Sequence, residues 1–231
     1  MFDDKSAEQQ IRQSWQRNAD PWVEAVRAQR IESRRLCTDR AIVEAVLSVA
    51  PNRLIDLGCG EGWLCRRLAG QGISVIGIDA VPALIDQARL AGDGDYRLLS
   101  YEQIIAGELA ETVDTVVCNF SLFGNAAVAE LLRAVARLLA PGGMLIIQTL
   151  HPLTSCGDEP YRDGWRSGSW AGIDGNFTDP APWYFRTLAS WLQLLADCGY
   201  RLRTLQEPVH PASGKPASVI FIAEPVAGGA S

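Results

Sequence analysis

Three glycines at alternate positions, Gly58, Gly60 and Gly62, follow the apolar run "RLIDL" and precede an amphipathic stretch that starts at Trp63. Glycine has no Cβ, so a chain built this way turns tightly and lets its backbone approach a ligand closely. Asp56 stands just before the loop, and Cys59 lies inside it, where its backbone matters more than its sulfur. About twenty residues on, Asp79 ends a second apolar run, the distance at which an acid can accept hydrogen bonds from ribose hydroxyls. A strand feeding a glycine loop and then a helix is a nucleotide-cradle layout. His151 follows a fifth apolar run, and imidazole titrates where a general base is useful.

The elements that must position these groups are readable from periodicity. The first fifty residues read as helical, with "AIVEAVLSVA" stopping before Pro51. From residue 53 to 150 short apolar strands alternate with amphipathic helices. The strands are "RLIDL", "SVIGID", "YRLLS", "VDTVVCNF" and "PGGMLIIQTL", the last opened by a Pro-Gly turn. The clearest helix spans 128–139, with one apolar stripe of Val128, Leu131, Leu132, Val135, Leu138 and Leu139. Alternation of this kind predicts a parallel sheet with helices on both faces. Ligands then sit beyond the carboxyl ends of the strands. That edge collects Gly58, Asp79, Ser100, Asn119 and His151.

Residues 152–186 lose periodicity and are rich in Gly, Pro, Asp and aromatics, including Tyr161, Trp165, Trp170, Trp183 and Tyr184. The aromatic content argues for an ordered lid rather than disorder. A helix over 188–198 follows. Two last strands, "YRLRTLQEP" and "PASVIFIAEP", are joined by too few residues for a crossover and must pair antiparallel. Residues 226–231 read as a tail.

Composition bounds the function. Apolar residues make up 48 % of the 231, charged residues 21 %, and the formal net charge is −6. An acidic balance disfavours a broad nucleic-acid surface. No run reaches the roughly 20 apolar residues that span a bilayer. The polar start "MFDDKSAEQQ" does not read as a secretory signal, so a cytoplasmic location is expected. The six cysteines form no C-x-x-C pair and His is scarce, so reduced thiols and no metal site are expected.

A dinucleotide fingerprint needs G-x-G-x-x-G, whereas the spacing here is G-x-G-x-G. Together with "PGGMLII" and the final hairpin, this resembles the class I S-adenosylmethionine (SAM)-dependent methyltransferases, of the small-molecule type. "LIDLGCGEG" corresponds to their first motif and "VIGIDAV" to the strand with the ribose acid. "VDTVVCNFSLF" and "LLAPGGMLIIQT" correspond to their fourth and fifth strands. The resemblance implies an α/β, doubly wound, seven-stranded, mostly parallel sheet with a C-terminal antiparallel hairpin, the Rossmann-like methyltransferase fold. An N-terminal helical flap (1–50) precedes a SAM-binding domain (51–225) that carries the lid insertion (152–186).

The same resemblance implies the ligand contacts. Asp56 and the backbone at Gly58, Cys59, Gly60 and Gly62 meet the methionyl part, with Asn119, Phe120 and Ser121 beside it. Asp79 and Ala80 hold the ribose. Relatives often carry an acid after the third strand for adenine; here Ser100, the Tyr101 backbone or Glu102 takes that place. Arg34, with Arg35 next, is the candidate for the methionyl carboxylate. His151 is either a general base or a strand-end cap. Trp170, Tyr184 and Arg186 are candidate acceptor contacts, with Arg162 and Arg166 available to an acidic acceptor. His210, in the last hairpin loop, ranks below His151. The reaction implied is O- or N-methylation of a small acceptor, yielding S-adenosylhomocysteine. A protein or nucleic-acid acceptor, a non-catalytic SAM-binding partner protein, and a nicotinamide-dependent oxidoreductase are the alternatives. The sequence leaves the oligomeric state open.

Overall fold

The structure is a computed structural model that describes residues 3–226. Helices α1 (Asp4–Arg17) and α2 (Ala19–Arg27) lead into a π-helical turn at Arg34–Thr38 and then α3 (Asp39–Ser48). There follow β1 (Arg53–Leu57), α4 (Trp63–Ala69), β2 (Ser74–Asp79), α5 (Pro82–Leu90) and β3 (Asp95–Leu98). Next come α6 (Tyr101–Ile105), β4 (Val113–Asn119), α7 (Ala126–Val135), β5 (Leu139–Leu150) and one turn, α8 (Pro152–Ser155). The chain closes with β6 (Gly164–Arg166), β7 (Trp183–Phe185), α9 (Leu188–Asp197), β8 (Tyr200–Gln206) and β9 (Ser218–Pro225). The tail expected over 226–231 lies, beyond Val226, outside the described residues.

The sheet has the order β3-β2-β1-β4-β5-β9-β8. β1 to β5 run parallel, and β9 enters between β5 and β8 antiparallel to both. Successive side chains on a strand point to opposite faces. Ile55, Val116, Ile147 and Phe221 therefore face α7 and α9 in one core cluster. Leu54, Val117, Ile146 and Ile222 face α3 and α4 in another. Both faces are covered, which is why these strands read as unbroken apolar runs. The strand order reverses between β1 and β4, opening a crevice at their carboxyl ends, where such sheets bind ligands.

Several details differ from the sequence expectation. α7 ends at Val135 rather than 139; Leu138 packs in a turn, and Leu139 pairs with Val113. The expected Pro-Gly turn lies inside β5, where Gly142 takes φ +79 and the register against β4 shifts. α3, grouped by sequence with the flap, packs Ile42, Ala45 and Val46 onto the sheet. The lid contains a two-stranded sheet of β6 and β7, too short for a period-2 pattern to show.

The N-terminal helices are bound in from several sides. α7 has no side-chain cap of its own at Asn125. Glu8 of α1 supplies one, its Oε1 accepting from the Ala127 N–H at 3.2 Å. Asp4 accepts from Asn125 Nδ2 at 3.0 Å and from Trp165 Nε1 at 2.7 Å, joining α1 to α7 and to the lid.

Candidate functional site

β1 delivers the chain to the loop with Asp56 buried and Leu57 fully inside. The loop is then pinned to β2: the N–H groups of Gly58 and Cys59 both donate to the Ile78 carbonyl, at 2.7 and 2.9 Å. Gly58 has φ +78, and a Cβ there would lie 2.3 Å from Ser121 Cβ. Only glycine fits. Gly60, with φ +58, donates its N–H to Asp79 Oδ2 at 2.9 Å. Val81 N–H donates to Asp79 Oδ1 at 2.9 Å. The carboxylate is thereby held rigidly at the end of β2, and each oxygen keeps a second lone pair.

β4 brings the opposite wall. Phe120 adopts φ +51, uncommon for a residue with a side chain, and donates its N–H to the Gln148 carbonyl at 2.8 Å. This left-handed step turns the chain out of the sheet toward the crevice. Ser121 Oγ donates to the Leu57 carbonyl at 2.7 Å, and Tyr101 donates its hydroxyl to the Ser121 carbonyl at 3.2 Å.

These elements border a cavity of about 690 Å3. Its wall includes Arg34, Asp56, Gly58, Cys59, Gly60, Asp79, Ala80, Tyr101, Asn119, Phe120, Ser121 and Trp170, so most of the residues expected from sequence converge there. Four buried side-chain polar atoms on this wall have no hydrogen-bond partner among the described residues: the oxygens Asp56 Oδ1, Glu61 Oε1 and Asn119 Oδ1, and the ring nitrogen His210 Nδ1. Burial pushes the Asp56 carboxyl up to about 7, against the Cys65 thiol, which donates to Oδ2 at 3.4 Å. Asp79 is also raised by burial, opposed by its backbone hydrogen bonds.

Arg34 reaches the same wall from the π-helical turn. Its Nε donates to Asp39 Oδ1 at 2.9 Å, and its guanidinium lies 4.7 Å from the Trp63 ring centroid and 5.8 Å from that of Trp22. Its two terminal nitrogens donate to no described residue. Glu102 also borders the cavity but is ion-paired with Arg12.

Five expected residues lie elsewhere. Gly62 caps α4 with φ +80, packed against Tyr96. Ser100 forms a capping box with Gln103 at the start of α6, which occupies its hydroxyl. His151 is buried, with Nε2 2.7 Å from Glu207 Oε1 and Nδ1 accepting from the Leu153 N–H at 3.2 Å. Both ring nitrogens are engaged, His151 caps the helical turn α8, and it is not among the residues that border the cavity. Tyr184 packs against Trp165 and under Arg186. Arg186 is buried and donates to the carbonyls of Gly124 and Asn125 at 2.9 and 3.0 Å; burial lowers its pKa. It ties the lid to the segment before α7 and is not offered to an acceptor.

Two wall residues carried little weight in the sequence. Glu61 is buried and clamped by Arg27 Nε at 3.2 Å and Arg66 Nη2 at 2.6 Å, fixing the loop to α2 and α4. Its place within the glycine motif is the signal that points to it. His210 borders the cavity from the hairpin loop between β8 and β9. β9 starts beside the end of β5, with Ser218 opposite Leu150, which places that loop at the ligand edge.

A parallel sheet with an inserted antiparallel last strand and a glycine-lined crevice at its switch point defines a nucleotide-type binding fold. A family model described as a methyltransferase domain matches residues 27–205. The chain belongs to this methyltransferase family. It is 40% identical over 114 residues to a ubiquinone biosynthesis O-methyltransferase of Xanthomonas oryzae, covering 47% of each chain. A protein of the same name from Xylella fastidiosa is 38% identical over 110 residues, covering 46% of this chain and 44% of the other. The chain thus spans about half the length of the curated relatives it matches. Among solved structures, the 1,6-didemethyltoxoflavin-N1-methyltransferase of Burkholderia thailandensis superposes over 98% of this chain and 92% of its own, with TM-score 0.67 and 16% identity. A SAM-dependent methyltransferase from Mesorhizobium loti covers 78% of this chain and 95% of its own, with TM-score 0.59 and 23% identity. These likenesses are likenesses of fold. Among the described residues no helix is long and apolar enough to cross a membrane. None of their His, Cys, Asp and Glu side chains gather in threes as a metal site.

Proposed function

We propose that this protein transfers the methyl group of SAM to a hydroxyl oxygen of a small-molecule acceptor. The observation that carries the reading is the sign of the loop. Asp56 Oδ1, Glu61 Oε1 and Asn119 Oδ1 are buried acceptors without donors. An orphaned buried acceptor costs about 1–3 kcal/mol, so the loop favours a ligand that brings a cationic donor. The methionyl ammonium of SAM is such a group. A dinucleotide would bring a pyrophosphate to the same rim of oxygens.

The rest of the wall fits the same ligand. Arg34 offers its terminal guanidinium nitrogens to the methionyl carboxylate. Asp79 keeps lone pairs for the ribose hydroxyls. Ala80, Tyr101 and Glu102 border the adenine end. The relatives named as O-methyltransferases support oxygen as the acceptor atom. Bound SAM supplies a methyl group already activated on a sulfonium, so the chain contributes chiefly by orienting the acceptor and keeping water out.

Calorimetric titration with S-adenosylhomocysteine, with NADH as the comparison, tests this reading. Micromolar binding of the first and none of the second is expected. The reverse pattern, or binding of neither by folded protein, overturns it.

A further inference from the structure

The cavity wall has two chemically different halves. All of its Asp, Glu and Arg side chains come from positions 8–102, and of these Glu8 reaches across to α7, where its Oε1 is held by the Ala127 N–H. The wall residues from 119 to 217 include no Asp, Glu, Lys or Arg. The lid nevertheless contains arginines, and two are directed inward elsewhere. Arg166 donates to the carbonyls of Cys156 and Pro160 and stacks 3.5 Å from the Phe185 ring centroid. Arg186 is spent on Gly124 and Asn125.

The large side chains that line the cavity from 119 on are mainly aromatic, Phe120, Phe123, Trp170 and Trp183, set among small Gly, Ala and Pro residues, and Trp15 of α1 packs against them. Trp170 lies edge-on to Trp15 at 5.6 Å between centroids, and Trp15 lies 5.8 Å from Phe123. Trp183 completes the wall, and Ser169 and His210 add polar side chains. A carboxylate or phosphate on a ligand would be desolvated here with no cation from the lid or the last hairpin to meet it, and Arg12 of α1, on the same wall, is already paired with Glu102, so its burial is strongly unfavourable. Flat rings, in contrast, gain area and edge-to-face contacts.

Resting on the SAM-site reading above, we propose that the acceptor is an uncharged molecule with a planar aromatic ring. It seats against the wall that Trp15, Phe123 and Trp170, packed on one another, form with Trp183, and its polar edge meets Ser169 and His210. An acidic acceptor, which the lid arginines suggest from sequence, is the class this wall rejects.

Equilibrium dialysis at pH 8 against protein saturated with S-adenosylhomocysteine tests it with three probes. These are 2-naphthol, its 6-carboxylate and its 6-trimethylammonium derivative. The neutral naphthol is expected to bind at least tenfold more tightly than either charged one. Trp183→Leu should weaken naphthol binding at least fivefold with S-adenosylhomocysteine affinity unchanged. Equal or tighter binding of a charged probe overturns the proposal. So does failure of all three to bind, or an unaffected Trp183→Leu variant. If S-adenosylhomocysteine itself does not bind, it is the SAM-site reading that fails, and calorimetry reports that separately.

Discussion

Asn18 and Thr178, 160 residues apart in the chain, exchange two hydrogen bonds: Asn18 Nδ2 donates to the Thr178 carbonyl at 2.8 Å, and the Thr178 N–H donates to Asn18 Oδ1 at 2.9 Å. Asn18 is fully buried. Ser14 Oγ donates to the neighbouring Asp179 carbonyl at 2.6 Å, and Arg17 pairs with the Asp179 carboxylate at 2.8 Å. Trp15 meets Trp170 beside them. The N-terminal helices and the segment 170–179, both of which border the cavity, are thus held to each other.

Asn18→Ala leaves the Thr178 N–H without a partner and its carbonyl with Trp170 Nε1 alone, at 3.1 Å, a cost of roughly 2 kcal/mol. The thermal midpoint should fall by roughly 4–8 °C. Limited proteolysis should cut within 168–182 faster than in the wild type. Identical cutting rates would show that these bonds do not hold the lid.

The two glycines of the loop should differ in a measurable way. Gly58→Ala drives a Cβ into Ser121 as well as straining φ +78. Gly60→Ala meets nothing closer than Trp22 Nε1 at 3.7 Å and bears only the strain of φ +58, about 1–2 kcal/mol. Binding of S-adenosylhomocysteine should be abolished in the first and reduced about tenfold in the second. Equal effects would place the loop differently.

Asp56 should make stability and binding depend on pH. Its carboxyl is raised by burial to about 7 in the folded chain from an unfolded value of 3.8. Between those values the folded state holds the extra proton, so stability falls as pH rises through that window. Asp56→Asn should flatten that slope. A cationic ligand beside Asp56 favours its ionised form, so binding near pH 6.5 should release a fraction of a proton. Calorimetry in buffers of different ionisation enthalpy measures it, and zero release counts against contact between the ligand and Asp56.

Arg34→Lys keeps the charge but loses the planar guanidinium that lies over Trp63 and Trp22. Affinity for S-adenosylhomocysteine should drop about tenfold in Arg34→Lys and more in Arg34→Ala. The amide-capped form of the ligand, which lacks the carboxylate charge, should bind wild type and variant alike. A tenfold preference of the wild type for that form would assign Arg34 another partner.

His151→Gln should leave turnover near that of the wild type while lowering the thermal midpoint. It removes the cap of α8 and the contact with Glu207. A loss of turnover with an unchanged midpoint would restore His151 as a base.

The alternation of strand and helix from 53 to 150 is legible because each strand is buried on both faces and each helix shows one apolar stripe. The glycine loop is legible because its backbone conformation demands glycine. What the sequence hides is competition for side chains. Ser100 precedes Gln103 at capping-box spacing, so its hydroxyl belongs to α6. His151 precedes Pro152, the first residue of a helical turn, and that pairing signals a cap. Arg186 looks available until the carbonyls around Gly124 are placed beside it. Position along a strand puts a residue near the right edge, but only tertiary contacts decide whether its polar atoms are already engaged.

Because β9 enters the sheet against the direction of β5, the β8–β9 loop reaches the cavity edge from a part of the chain far in sequence from the glycine loop. The loop 207–217 is anchored beside the end of β5 by Glu207 on His151 and by the Pro216 carbonyl, which accepts from Thr154 Oγ1 at 2.6 Å. Sequence drift between those two anchors would reshape this edge of the cavity while the hydrogen bonds that pin the glycine loop to β2 stay as they are.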